Sequence, residues 1–224
     1  APQLEAVERE LGEQARLIAK TWSVDGRTSE HIDRVVGHIF QKPGKMLRPA
    51  LVLLSEGIAG SAGGGEAPAP SLVRLAAAVE LIHSASLIHD DIIDGEELRR
   101  QRPTLNKCFG DQAAVLAGDI LYSRSFALIT DLKLPRWEQH LALFRLFCET
   151  TQKMCLGEIG EQQALDKGLR LGFAEYLETL KNKTAALMSA CCAGAAIACA
   201  AGARLTETLA SFGLSFGLAF QLLD

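Results

Sequence analysis

The densest chemistry in the sequence lies in Ile88-His89-Asp90-Asp91-Ile92-Ile93-Asp94, at the end of a long apolar stretch. At about 100° per residue of helix, Asp90 and Asp94 fall on nearly one face, a turn apart, with Asp91 about a quarter-turn away. Three carboxylates so placed repel one another unless a cation sits between them. Hard oxygen ligands of this kind suit Mg²⁺, which takes a few carboxylates, waters and phosphate oxygens. The bland reading is a solvated, acidic helix end. The helix dipole opposes acids at a C-terminus, so a compensating ligand explains them better.

Cations follow directly. Glu96-Glu97-Leu98-Arg99-Arg100-Gln101-Arg102-Pro103-Thr104 carries three arginines. A modest i,i+4 pair between Glu96 and Arg100 is the structural alternative. Acids and arginines together are what a metal-bridged diphosphate needs, with metal on one side and guanidinium forks on the other. A second cluster lies at Gly44-Lys45-Met46-Leu47-Arg48-Pro49, where Lys45 and Arg48 stand at a helix start and backbone N–H groups favour anions. Alone, such a pair is ordinary surface. His83 lies seven residues before Asp90, two helical turns back on the same face. A lone His there is usually a core residue, and it gains interest only by pointing toward the same cavity.

The elements that must position these residues are helical. Leu4, Val7, Leu11, Ala15 and Ile18 recur at helical steps, as do Ile32, Val35, Val36 and Ile39 behind the capping residues Thr28 and Ser29. A helix is predicted from Met46 to about Ile58, then a Gly/Ala/Pro-rich surface loop over Gly60–Pro70. Pro70 suits the first turn of a long helix reaching about Asp94. Further helices are predicted over 112–130, 136–160, 173–182, 184–202 and 206–223. Strand patterns are scarce and there is no domain linker, which makes the chain a single-domain, all-α bundle over 1–224.

Composition narrows the function. The net charge is −4, from 23 Lys+Arg and 27 Asp+Glu, which argues against nucleic-acid binding but not against a small anion held by local cations. The six cysteines have no metal-knuckle spacing and lie mostly among Ala and Leu, so they read as reduced thiols of a cytoplasmic protein. No signal peptide opens the chain, and its start at Ala1 suggests processing or trimming. The uncharged run Thr184–Ala203 is built of Ala, Gly, Cys and Ser, and reads as a buried helix rather than a transmembrane segment.

As a set, Gly44-Lys45-x-x-Arg48-Pro49, Glu80-x-x-His83, Asp90-Asp91-x-x-Asp94, Arg99-Arg100-x-x-Pro103-Thr104, Lys183-Thr184 and Phe220-Gln221-x-x-Asp224 resemble the trans-isoprenyl diphosphate synthases in order and spacing. The resemblance covers about 44–224 and implies an isoprenoid-synthase-type bundle with a central apolar cavity. It implies that Asp90 and Asp94, with Asp224 of a second aspartate-rich motif, hold Mg²⁺, with Asp91 in support. Lys45, Arg48, His83 and Arg100 would bind isopentenyl diphosphate. Arg99, Lys183, Thr184 and Gln221 would meet the allylic diphosphate, Thr184 setting a helix break beside Lys183. Asp90, Asp91, Asp94 and Lys183 would be the catalytic set. The implied reaction is ionisation, condensation and elimination, carried out by a homodimer.

Two local departures are Pro43 and Gln101, each standing where many relatives have Gly. The larger departure is that the second acidic motif should continue beyond Asp224, so the chain as printed is expected to be inactive. Ala85 and Ser86, five and four residues before Asp90, are small where bulky aromatics stop product growth in the family, which implies a long-chain polyprenyl product. Three other readings stand beside this one: a non-catalytic subunit of a heteromeric synthase, a class I terpene cyclase, and a purely structural bundle.

Overall fold

The computed structural model describes residues 2–21, 30–41, 44–62, 69–168 and 172–223. Thr28, Ser29, Pro43, the middle of the Gly60–Pro70 loop and Asp224 lie outside the described residues. The chain divides into two units, each made of two stretches: 1–47 with 77–128, and 48–76 with 129–224.

The first unit contains α1 (Pro2–Thr21), α2 (Glu30–Phe40), most of α4 (Ala69–Ile93), a short hairpin, α5 (Leu105–Phe109) and nearly all of α6 (Asp111–Thr130). α3 (Leu47–Ser61) precedes α4 and lies almost wholly in the second unit. α1 buries Val7, Leu11, Gln14 and Ile18, one stripe at three- and four-residue steps. Gln14 is tolerated there because its amide donates to Glu10 at 2.6 Å and its oxygen accepts from Arg124 Nε at 2.5 Å. In α4, the five consecutive residues from Leu75 to Val79 have no accessible surface, so the helix is buried on every side rather than amphipathic. α4 and α6 meet at Gly118, where any side chain would overlap the His89 ring; that ring donates from Nε2 to the Val115 carbonyl at 3.1 Å.

The second unit is built on α7 (Trp137–Asp166), α8 (Phe173–Leu180), a π-helical turn (Lys181–Ala185), α9 (Ala186–Ala198) and α10 (Ala203–Leu223). α9 is buried on nearly every side, as its small residues suggested. Its last carbonyls would be orphaned, and the buried Gln139 amide supplies them, donating to Ile197 O at 3.0 Å and Ala198 O at 2.9 Å. α10 crosses close: a Cβ on Gly213 would lie 2.5 Å from Met188 O, and one on Gly217 2.7 Å from Ala185 Cα. None of the six cysteines is in a disulfide. Burial raises the pKa of Cys192, and a hydrogen bond with Ser55 offsets part of the rise.

Several expectations change. Residues 98–103 form a two-stranded hairpin that the helical reading did not contain. α7 continues to Asp166 instead of stopping near 160. The segments 173–182 and 184–202 are not separated by a break; the π-helical turn joins them. Among the described residues, α4 and α6 are the helices long and apolar enough to cross a membrane, while the 184–203 run is not one of them, and 67% of the α4 window is buried within the protein. That burial is the behaviour of a core helix.

Close approach and open space make opposite predictions for two glycines. Gly213→Ala forces a Cβ into backbone and should destabilise the protein by about 1–3 kcal/mol. Gly160, inside α7 with nothing near its Cβ position, should gain about 1 kcal/mol as Ala. Urea titration of each variant checks both signs.

Candidate active site

The end of α4 is shaped by a backbone rule. Gly95 is left-handed (φ 65°), its N–H bonds to Ile92 O at 3.2 Å, and Glu96 N–H bonds to Asp91 O at 2.9 Å. This is a Schellman ending, which turns the chain sharply and satisfies two orphan carbonyls. It leaves Asp94 exposed at the cap and Asp90 half-buried one turn earlier, while Asp91 faces inward with its side chain only 7% exposed.

Asp91 is not left alone. Arg99 Nε and Nη2 both donate to Asp91 Oδ1, each at 2.6 Å. Arg99, expected at an allylic diphosphate, is thus held by a carboxylate of the acidic motif. The pair also anchors the hairpin, in which Leu98 pairs with Pro103 and Arg99 with Arg102. Its two turn residues, Arg100 (φ 52°) and Gln101 (φ 65°), are both left-handed, the geometry of a type I′ turn that favours Asn-Gly. The alternative of a helical Glu96–Arg100 pair is not seen, because residues 98–103 form a hairpin; the Glu96 carbonyl accepts instead from the Thr104 hydroxyl at 2.8 Å. Further ties run to the end of α2. His38 Nε2 donates to Pro103 O at 3.1 Å, and Arg102 Nη1 donates to Gln41 Oε1 at 2.8 Å.

Within the first unit these residues enclose a cavity of about 260 Å³, lined by Gly44, Glu80, His83, Ser84, Asp91, Arg99, Arg100 and Arg102, with Leu11, Leu87 and Ile88 among its apolar walls. Gly44 is there for space: a Cβ would lie 3.1 Å from Arg100 Nη2, 3.3 Å from Nη1 and 3.4 Å from Glu80 Oε1. The guanidinium therefore rests on bare backbone. His38 and Gln41 are additions that the motif reading missed, since nothing local marks them, and Arg102, noted in the sequence only as one of three arginines, joins them.

Other expected residues do not join this cavity. Asp90 and Asp94 do not line it, and neither does Lys45, which is exposed. Met46 is left-handed (φ 52°) and α3 begins only at Leu47, so Lys45 and Arg48 are not a pair on one helical turn as the sequence suggested. Arg48 sits half-buried in the first turn of α3. Ala85 has no accessible surface, and the half-buried Ser86 bonds back to His83 O at 2.9 Å. Among the described residues no group of three or more His, Cys, Asp or Glu is arranged to hold a metal. Asp90 and Asp94 supply two hard carboxylates, a donor set that fits Mg²⁺ where water and phosphate oxygens complete the shell.

In the second unit, Lys183 projects from the π-helical turn and is 27% exposed. Its ammonium lies 2.7 Å from Glu158 Oε2 and 2.7 Å from Glu161 Oε2, both on α7. Burial alone would lower its pKa; the hydrogen bonds and charges of the two glutamates outweigh that and raise it above the ordinary lysine value. Thr184 and Gln221 are half-buried on the π-helical turn and α10.

A family model described as polyprenyl synthetase matches residues 29–224. The chain belongs to the polyprenyl synthetase family. Among its relatives, geranylfarnesyl diphosphate synthase of Aeropyrum pernix is 35% identical over 199 residues, which is 86% of this chain and 60% of the relative. The decaprenyl diphosphate synthase structure from Rhodobacter capsulatus superposes with a TM-score of 0.81 at 32% identity, covering 100% of this chain and 62% of that one. The polyprenyl synthase of Caulobacter crescentus, complexed with calcium and isoprenyl diphosphate, gives 0.78 at 30%, covering 98% and 62%. The chain thus spans about three fifths of the length of these family members.

The hairpin turn is the most accessible test of this geometry. Gln101→Gly removes a side chain from a left-handed position and should stabilise the protein by about 1 kcal/mol. Arg99→Ala strands a buried carboxylate and should cost about 3 kcal/mol, less if water reaches Asp91. Chemical denaturation measures both.

Proposed function

We propose that the full-length protein is a head-to-tail prenyltransferase that joins isopentenyl diphosphate to an allylic diphosphate and releases an all-trans polyprenyl diphosphate. The observation that carries this reading is the cavity beside the α4 acids, where Arg99, Arg100, Arg102 and His83 converge on about 260 Å³. A cluster of guanidinium groups against apolar walls suits a diphosphate with a hydrocarbon tail.

Arg100 and His83 line the cavity and take the isopentenyl diphosphate, with Lys45 and Arg48 added by family resemblance. Arg99, Lys183, Thr184 and Gln221 are assigned to the allylic diphosphate on the same ground. Asp90 and Asp94 would hold Mg²⁺, with Asp224 as a further ligand. Bound there, Mg²⁺ supplies positive charge that stabilises diphosphate as a leaving group. The residues of the chain do the rest: the cations orient both diphosphates, and the apolar walls keep water from an allylic cation. The double bond of isopentenyl diphosphate attacks that cation, and loss of a proton restores an allylic diphosphate.

A cytoplasmic location is consistent with six cysteines outside any disulfide. A homodimer is the assembly the family resemblance implies. The small Ala85 and Ser86 support a long-chain product.

In the full-length enzyme, Asp90→Asn and Asp94→Asn should each lower kcat about a hundredfold or more, and omission of Mg²⁺ should abolish turnover. Crystals grown with Mg²⁺ and a bisphosphonate should show an ion at Asp90 and Asp94; an empty density there sinks the assignment. Incubation with farnesyl diphosphate, isopentenyl diphosphate and Mg²⁺, followed by product sizing, tests chain length. Products that stop at C15 or C20 refute the long-chain reading, and Ala85→Phe should shorten whatever is made.

A further inference from the structure

The sequence motifs say nothing of what surrounds Lys183. It emerges from a π-helical turn, an insertion that rotates the following side chains relative to a regular helix. α7 approaches that turn at a glycine: a Cβ on Gly157 would lie 2.9 Å from Asn182 Cβ and 3.0 Å from Lys183 N. Just beyond it on α7, Glu158 and Glu161 reach the ammonium from two positions three residues apart, at 2.7 Å each. On the other side, Gly217 lets α10 press on Ala185. The nearby Lys181 is occupied by Glu178 of α8 and does not compete for these carboxylates.

We propose that Glu158 and Glu161 are positioning residues, which together fix the Lys183 ammonium in one orientation and so preset the cation that meets the allylic diphosphate. This rests on the reading of Lys183 as a diphosphate contact. An ammonium has three N–H donors and no acceptor. Glu161 accepts one of them, and Glu158, whose Oε2 lies 2.7 Å away without a hydrogen bond, adds its charge, so donors remain for a phosphate oxygen. A flexible four-carbon side chain loses substantial rotamer freedom when it is fixed, and the glutamates impose that loss before substrate arrives. The two carboxylates also keep the ammonium charged although it is three-quarters buried.

The test compares the full-length enzyme with Glu158→Gln, Glu161→Gln and the double variant, each checked by circular dichroism. The first readout is independent of turnover. Acetic anhydride labelling, followed by mass spectrometry of the Lys183 peptide, should run about tenfold faster or more in the double variant, since the neutral amine is no longer suppressed. The second is kinetic: KM for the allylic substrate should rise about tenfold, with KM for isopentenyl diphosphate nearly unchanged. An unchanged labelling rate overturns the proposal, and so does an allylic KM that stays level or falls. If the double variant fails to fold, each single variant carries the same two readouts. Lys183→Ala with a normal allylic KM would remove the diphosphate role itself and overturn the proposal from that side, even where the labelling result held.

Discussion

A carboxylate cannot be turned inward at a helix C-terminus without a cation against it, and this constraint organises the end of α4. Asp91 is nearly buried where the helix dipole already disfavours negative charge. The Arg99 fork answers it with two donors on one oxygen. Because Arg99 lies in a strand of only two residues, holding it fixes the whole hairpin. The hairpin in turn sets Arg100 on the bare backbone of Gly44 and brings Arg102 to Gln41. One ion pair thereby arranges the cationic wall of the cavity.

Backbone proximity does comparable work elsewhere. Gly118 makes room for His89, Gly157 for the π-helical turn, and Gly213 and Gly217 for α9 and the residue before it. In each case the missing side chain is steric in purpose. His83 and Lys183 thus sit on packed helical backbone, which limits how far they can drift from their partners.

The sequence made much of this legible. The helical periodicity of α1 and α2, the long helix leading to the acidic motif, the helix over 206–223 and the small-residue character of α9 all carried over into the structure. The misses have specific causes. The hairpin is too short to show alternation, and its type I′ turn uses Arg-Gln where Asn-Gly would have announced it. Met46 gives no sign in its residue type of the left-handed backbone that separates Lys45 from the helix. Glu158 and Glu161 look like a solvated helix face, because acids three apart on an exposed stretch usually are; only the fold brings Lys183 between them. The partner of Arg99 was equally hidden, since it lies eight positions away along the sequence, across the helix end and the turn that follows.

Two of the cations assigned to diphosphate, Arg99 and Lys183, are therefore stored as ion pairs with carboxylates of the same chain. That storage has a consequence for any anion that approaches them. Pulling Arg99 away from Asp91 leaves a buried charge unpaired, a penalty of about 3–5 kcal/mol for a fully buried pair and smaller here because Arg99 is 38% exposed. An anion arriving alone must overcome that penalty. An anion arriving with a divalent cation need not, because the released carboxylate gains a positive partner as the guanidinium gains a negative one. Exchange of partners conserves local charge where simple addition does not. If the proposed function holds, exchange at Arg99 would favour a metal-diphosphate complex over a bare diphosphate before any difference in contacts is counted.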